Sequence, residues 1–268
     1  MLDRYILVSN PDRINSRFQR VLCNSSLTYE PNCNISPAGS SCVIVNDNTN
    51  GIHLFKFGMQ VKNHSLPFIR AEGDRNKNDD PDYAGSKAIF LKSEFSRIIR
   101  QQRCLVLADA FVVSIESKSP YVVYLRNKKR PFAFAGMWDC YMDEQTGDKV
   151  NSFAIITVPA NKLLQQLNQR RMPVILEQQV ESRWLSKTAS LSDVLNMLNT
   201  FPPELMNAYP ISNKIQDITH NDKSLVTPTG KPICEETSYQ IMGLLRRKKA
   251  GNPNTSTLGE RIVQKGSG

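Results

Sequence analysis

The side chains in this 268-residue chain that could bond covalently or hold a metal are six cysteines, three histidines and a short acidic run. Cys23, Cys33, Cys42, Cys104, Cys140 and Cys234 include no CxxC pair, which reads as reduced thiols and not as a zinc site or a disulfide framework. Cys104 heads an apolar run and reads as a small buried hydrophobe. His53, His64 and His220 are isolated and share no ligand spacing, so no metal is expected. Asp79-Asp80-Pro81-Asp82 reads as a solvated loop. GxGxxG, P-loop and HExxH patterns are absent, and no cofactor is expected.

The elements that must carry these groups follow from periodicity. Ile14, Phe18, Val21 and Leu22 fall at helical spacing behind Asn10-Pro11-Asp12, which predicts a helix over 11–22 with Asn10 as cap. Residues 29–39 form a loop punctuated by prolines and glycine. Strands are predicted at 42–45 and 52–57, joined by a hairpin, and at 104–107, 121–125, 132–136, 152–158 and 174–176. Helices are predicted at 87–103, 160–170 and from Ser190 or Ser192 to Leu198, and 73–86 reads as a long polar loop. Short strands mixed irregularly with helices make an α+β protein with a mixed, mostly antiparallel sheet, rolled up into a barrel-like core.

Apolar residues make up 40% and charged residues 22%, a globular composition that excludes a wholly disordered chain. No run of about 18 apolar residues is present, so no membrane span is expected, and the first residues show no signal-peptide pattern. The expected location is cytoplasmic. The net charge is +9, of which residues 246–268 hold +5: six basic residues against Glu260. These residues read as a basic, disordered tail behind a domain over 1–245 that carries only +4. Bulk charge is thus a weak pointer to nucleic acid.

Ten segments in order resemble the SRAP family (SOS-response-associated peptidase, or abasic-site processing proteins) across about residues 1–225. Met1-Leu2-Asp3-Arg4-Tyr5 resembles its Met-Cys-Gly-Arg-Tyr/Phe opening, and Cys33-Asn34-Ile35-Ser36-Pro37-Ala38 its Tyr-Asn-Val-Ala-Pro-Thr loop. Lys56-Phe57-Gly58, Phe68-Ile69-Arg70-Ala71-Glu72 and the run from Arg103 to Phe111 are similar to further family motifs. Pro120-Tyr121, the run from Ala133 to Trp138 and that from Phe153 to Thr157 follow. Arg171-Met172-Pro173-Val174-Ile175-Leu176 is the most specific match, and Trp184-Leu185 and Tyr209-Pro210-Ile211-Ser212 come after it.

The resemblance implies a chemistry. After Met removal, the thiol and α-amine of a first-position Cys close on the aldehyde of an abasic site in single-stranded DNA and give a thiazolidine. An Asn positions the sugar, a Glu handles protons, and a His before Arg-Met-Pro assists ring opening. Each of those positions is altered here: Leu2 for Cys, Phe68 for Asn, Val113 for Glu and Gln169 for His. None of the four offers a nucleophile, an acid or a base at neutral pH. A large Leu2 is also expected to keep Met1 in place.

What the resemblance leaves is basic. Arg4, Arg70 and Arg171 occupy positions that face phosphates in the family, where a guanidinium fork binds phosphate bidentately. Asn34 and Phe57 belong to the same DNA-binding set, and Arg170 and Lys56 add to that face. Phe57, Phe68 and Trp138 are candidate stacking surfaces for unpaired bases. Each also has a plainer reading. Arg70-x-Glu72 reads as a structural ion pair, Arg4 and Arg171 as internally paired, and Phe68 and Trp138 as core.

The leading expectation is a SRAP-fold DNA-damage-response protein, a pseudoenzyme that binds single-stranded or abasic DNA without the covalent adduct. One alternative is an active crosslinking or peptidase (hydrolase) enzyme with a rearranged nucleophile, either the Met1 amine or Cys33, which has no basic sequence neighbour to activate it. Another is a non-catalytic interaction protein with a filled pocket. An open groove favours DNA; a closed pocket with arginines paired to carboxylates favours the interaction protein.

Overall fold

The apolar runs fold into strands more numerous than the helices. The computed structural model describes residues 2–23, 28–46, 49, 51–61, 64–72, 87–115, 119–126 and 130–236. The first half contains β1 (Leu2–Leu7), α1 (Pro11–Phe18), β2 (Val21–Leu22), β3 (Asn32–Ile35), β4 (Ser40–Val45), β5 (Gly51–Phe57), β6 (Met59–Val61), β7 (His64–Leu66) and β8 (Phe68–Arg70). After α2 (Ser93–Ser96) and α3 (Ile98–Gln101) come β9 (Arg103–Ala108), β10 (Ala110–Val113), β11 (Tyr121–Leu125), β12 (Phe132–Met142) and β13 (Lys149–Pro159). The chain continues through α4 (Lys162–Gln166), β14 (Arg171–Pro173), β15 (Ile175–Leu176), α5 (Gln178–Leu185), α6 (Leu191–Asn196) and β16 (Met206–Pro210).

Five strands close on themselves. β5, β4, β9, β12 and β13 are antiparallel neighbours in that order. β13 then meets β5 in parallel at Ser152↔Lys56 and Phe153↔Phe57. The α+β class and the rolled-up, mostly antiparallel core therefore hold, with closure removing the free edges of those five strands. Gly136 marks a crowded crossing. A Cβ there would lie 2.7 Å from Val106 Cγ2 and 2.8 Å from Cys104 Sγ, so a side chain has no room.

A second sheet, β16-β11-β10-β1-β3, grows from the first where β9 runs into β10. The buried Asp109 fixes that junction. Its carboxylate accepts from the amides of Val8 and Ser9 and from Ser9 Oγ, each at 2.7 Å. Charge-assisted bonds of this kind are about twice as strong as neutral ones and pin β1 to the β9–β10 turn. Part of this sheet packs under residues 213–226, where Ile215, Leu225 and Val226 join Ile6, Val112 and Tyr209 in a second apolar cluster.

Several boundaries differ from the periodicity. α1 is capped by Asn10, whose side chain accepts from Arg13 N at 3.0 Å, but it stops at Phe18 because Gln19 turns left-handed (φ 51°). Val21 and Leu22 leave the helix for a parallel pairing with Gly51 and Ile52. The helix expected over 87–103 breaks into a 3-10 turn and the short α2 and α3, because Lys92 is extended (ψ 126°). Arg103 already belongs to β9. It is fully buried and donates to the carbonyls of Trp184 (2.7 Å), Ile99 (2.8 Å), Arg100 (2.5 Å) and Ser186 (2.6 Å). One guanidinium thus satisfies the carbonyl ends of α3 and α5, groups that a helix cannot bond internally. The expected loop 73–86, with its acidic run, and the basic tail 246–268 lie outside the described residues. Among the described residues no helix is long and apolar enough to cross a membrane, and no group of three His, Cys, Asp or Glu side chains is placed to hold a metal.

Candidate functional site

Three of the four positions that the resemblance implies are altered come together at one end of the second sheet. Leu2 opens β1 directly opposite Val113, the last residue of β10. Val113 is fully buried. Gln169 lies at the far end of the α4 turn, where its Nε2 donates to Ser114 O at 3.1 Å and to Leu167 O at 3.0 Å. The amide thereby ties the 167–169 turn to the residue following Val113. Its neighbour Asn168 is left-handed (φ 56°), which turns the chain sharply enough to bring Gln169 there. Phe68, the fourth position, is half-buried on β8 and meets Phe57 edge-on at 5.4 Å. Val113 is buried, and the Gln169 amide is committed to backbone carbonyls.

The adjoining wall is charged, and β13 builds it. β8 pairs with β13 in parallel, with Arg70 at Thr157, and β14 pairs with it antiparallel, with Arg171 at Pro159. Arg171 Nη2 donates to Glu72 Oε2 at 2.8 Å, to Thr157 O at 2.6 Å and to Thr157 Oγ1 at 3.3 Å. The Glu72 side chain is wholly buried, and its Oε1 has no hydrogen-bond partner among the described residues. Glu72 forms its ion pair with Arg171, 99 positions along the chain, where the sequence suggests Arg70. Arg70 and Arg170 are exposed on either side. Lys87, which the sequence reading placed only inside a helix, joins this wall. Ile89 N bonds Ala71 O at 2.9 Å and brings the segment alongside. Burial lowers the Lys87 pKa and Arg171 lowers it further, while Glu72 opposes both. Periodicity could not reveal Lys87 or Thr157, because their relevance comes only from the β8–β13–β14 pairing.

Other expected members of the set are elsewhere or committed. Arg4 is buried (8% exposed); its Nη1 donates to Asn34 Oδ1 at 3.1 Å and to the Ile215 carbonyl. Asn34 is also buried and donates to Asp217 O at 2.9 Å and His220 O at 3.1 Å. The pair fastens β1 and β3 to the 215–220 turn; neither side chain is laid out along a groove. Phe57 is fully buried, stacked on Phe153 at 5.2 Å and edge-on to Tyr5 at 5.4 Å, so no ring face is left for a base. Trp138 packs against Phe55 and donates to Asn46 Oδ1 at 3.3 Å. Lys56 is half-buried on β5.

Cys33 is not at the site either. β3 pairs with the Leu7 end of β1, and Leu2 begins the other end. The Cys33 side chain is buried with Ile6 and Val112, and burial pushes its thiol up to about 11, Lys223 opposing. A buried thiol with a raised pKa is a poor nucleophile.

The family model for SOS response associated peptidase (SRAP) matches residues 1–218. The chain belongs to the SRAP family. It is 25% identical over 232 residues to the abasic site processing protein YoqW of Bacillus subtilis, covering 84% of this chain and 99% of that one. A second Bacillus subtilis relative, the abasic site processing protein YoaM, is 26% identical over 232 residues, covering 84% and 97%. The abasic site processing protein HMCES of Gallus gallus is 24% identical over 212 residues, 66% of this chain and 62% of that one. Among solved structures, a protein from Bacteroides thetaiotaomicron has the same fold, with a TM-score of 0.67, 22% identity and coverage of 84% and 99%.

Proposed function

We propose that this SRAP protein acts on DNA damage by binding abasic, single-stranded DNA through backbone charge, without forming a covalent adduct. The relatives' names supply the lesion. The carrying observation is local: Leu2, Val113 and Gln169 gather at one place, and none is titratable at neutral pH. Arg70 and Arg170 stand exposed beside them, with Arg171 and Lys87 on the same wall. Guanidinium groups at a rim attract phosphates whatever the base sequence. To test it, a fluorescent single-stranded oligonucleotide is titrated at rising salt. The expected log–log slope is about −0.7 per neutralised phosphate, and no binding at low salt removes the proposal. On a denaturing gel the abasic oligonucleotide should leave no shifted band; a shifted band would restore an active enzyme.

A second reading has its own support. Arg171 is paired with a buried carboxylate, and Arg4 and Asn34 bond to the fold itself. That is the pattern of a filled pocket in an interaction protein. Arg70→Ala combined with Arg170→Ala separates the two: it weakens oligonucleotide binding under the first reading and leaves it unchanged under the second.

A further inference from the structure

A thiol and an imidazole that the SRAP site does not use lie side by side at the start of β5. β2 pairs with β5 in parallel, Val21 with Gly51 and Leu22 with Ile52, and the Cys23 amide donates to Ile52 O at 2.9 Å. This register brings Cys23 beside His53, with its Sγ 3.9 Å from His53 Nε2. His53 lies four steps before Phe57, and Thr157 lies four steps beyond Phe153, the parallel partner of Phe57. About 25 Å of strand therefore separates the pair from the charged wall.

Three features build this place. Gly51 lies two residues before His53, on the same face of β5. A Cβ there would lie 2.0 Å from the Cys23 sulfur, so the thiol occupies the space that a side chain at 51 would take. The His53 ring rests against Phe55 with centroids 5.6 Å apart, and Phe55 rests on Trp138 at the same distance. Thr49 Oγ1 lies 2.9 Å from His53 Nε2. A hydroxyl both donates and accepts, so it can bond this nitrogen whether or not the nitrogen carries a proton. Cys23 and His53 are both half-buried, which leaves the sulfur open to a small reactant. Cys140 and Cys234 are half-buried too, but among the described residues only Cys23 has an imidazole within reach of its sulfur.

We propose that Cys23 and His53 form a peroxide-reactive thiol–imidazole pair, a modification site separate from the DNA-binding wall. His53 Nε2 takes the thiol proton, and the sulfur attacks one oxygen of the peroxide. An S–O bond forms as the O–O bond breaks. Cys23 is oxidised by two electrons to a sulfenic acid, and the peroxide is reduced. The leaving oxygen takes the proton back from the imidazole and departs as water from hydrogen peroxide, or as an alcohol from an alkyl peroxide. A peroxide suits the pair because the step needs a thiolate and one returnable proton, which one sulfur and one imidazole supply. Acyl or phosphoryl transfer would also need donors for an oxyanion. The 3.9 Å separation is at the long end for a sulfur contact, as contacts of this kind often are before a reactant is bound.

The test treats the reduced full chain with hydrogen peroxide in the presence of dimedone, which traps sulfenic acids, and follows each cysteine by peptide mapping. Cys23 should be trapped at least about tenfold faster than Cys140 and Cys234, below the usual contribution of a positioned base. His53→Gln keeps a polar side chain but no base at neutral pH, and should bring Cys23 down to the rate of the other two without changing theirs. Gly51→Ala should do the same by displacing the sulfur from the imidazole. Cys42 and Cys104, both buried, stay unlabelled in a folded variant; should one variant label them, the other carries the test. Trapping of Cys23 no faster than of Cys140 and Cys234, or equally fast in folded His53→Gln, overturns the proposal. DNA plays no part in this readout, so its failure leaves the DNA-binding proposal standing.

Discussion

The two walls of the SRAP site are built from neighbouring strands and differ in kind. At the β1–β10 wall, Leu2 stands opposite a buried Val113, and Gln169 gives its amide hydrogens to backbone carbonyls. At the β8–β13–β14 wall, the buried Glu72 pairs with the partly buried Arg171, the half-buried Lys87 lies within their electrostatic reach, and Arg70 and Arg170 are exposed. Residues 169–171 connect the two. Leu2, Val113 and Gln169 of the first wall are not titratable at neutral pH; the second wall carries an ion pair and exposed guanidinium groups. Different strands carry the two sets of residues, so each can be altered without the other.

The charged wall should be the harder one to break. Arg171→Ala leaves Glu72 buried without its partner and should cost about 3–5 kcal/mol, read as a fall in urea midpoint. Glu72→Gln with Arg171→Met should recover most of that loss, since replacing both ends of a buried pair with neutral groups is often near neutral. If the single and double variants are equally destabilised, the ion pair is not what holds this wall. At the other wall, Gln169→Ala removes two bonds to buried carbonyls and should cost about 1–2 kcal/mol by the same measurement.

The exposed rim should behave oppositely. Arg70→Ala and Arg170→Ala should each change stability by less than about 0.5 kcal/mol. Each should reduce the salt slope of oligonucleotide binding by about 0.7 if it neutralises one phosphate. Smallest of all should be the effect of modifying the thiols. With its pKa pushed up to about 11 from an ordinary 9, Cys33 should react roughly a hundredfold more slowly at pH 8 than an exposed thiol. Peptide mapping after brief alkylation should find Cys23, Cys140 and Cys234, which are partly exposed, labelled ahead of it.

Much of the fold was legible because short, nearly continuous apolar runs lie at 121–125, 132–136 and 152–158, and each became a strand at or beyond the expected limits. The β13–β5 closure was not legible in detail, since a parallel pairing between residues about a hundred positions apart leaves no local pattern. The 87–103 helix misled for a physical reason: Ile89, Phe90, Phe95, Ile98 and Ile99 keep helical spacing while seating three separate turns on the core. Motif order assigned Leu2, Phe68, Val113 and Gln169 to the site, and three of these four lie close together. The fate of the basic residues could not be read that way, because Arg4 and Arg171 look alike in sequence. Only the pairing of strands shows that one bonds Asn34 and a carbonyl while the other bonds Glu72.

The most direct test of binding without bond-making is a salt challenge. The full chain is bound to a fluorescent abasic single-stranded oligonucleotide at low salt, and anisotropy is followed as sodium chloride rises to about 1 M, where charges are screened beyond about 3 Å. Complete release, with a linear log–log slope, is the predicted result. A fraction that stays bound at 1 M and persists in denaturant would contradict the account, because only a covalent adduct survives both.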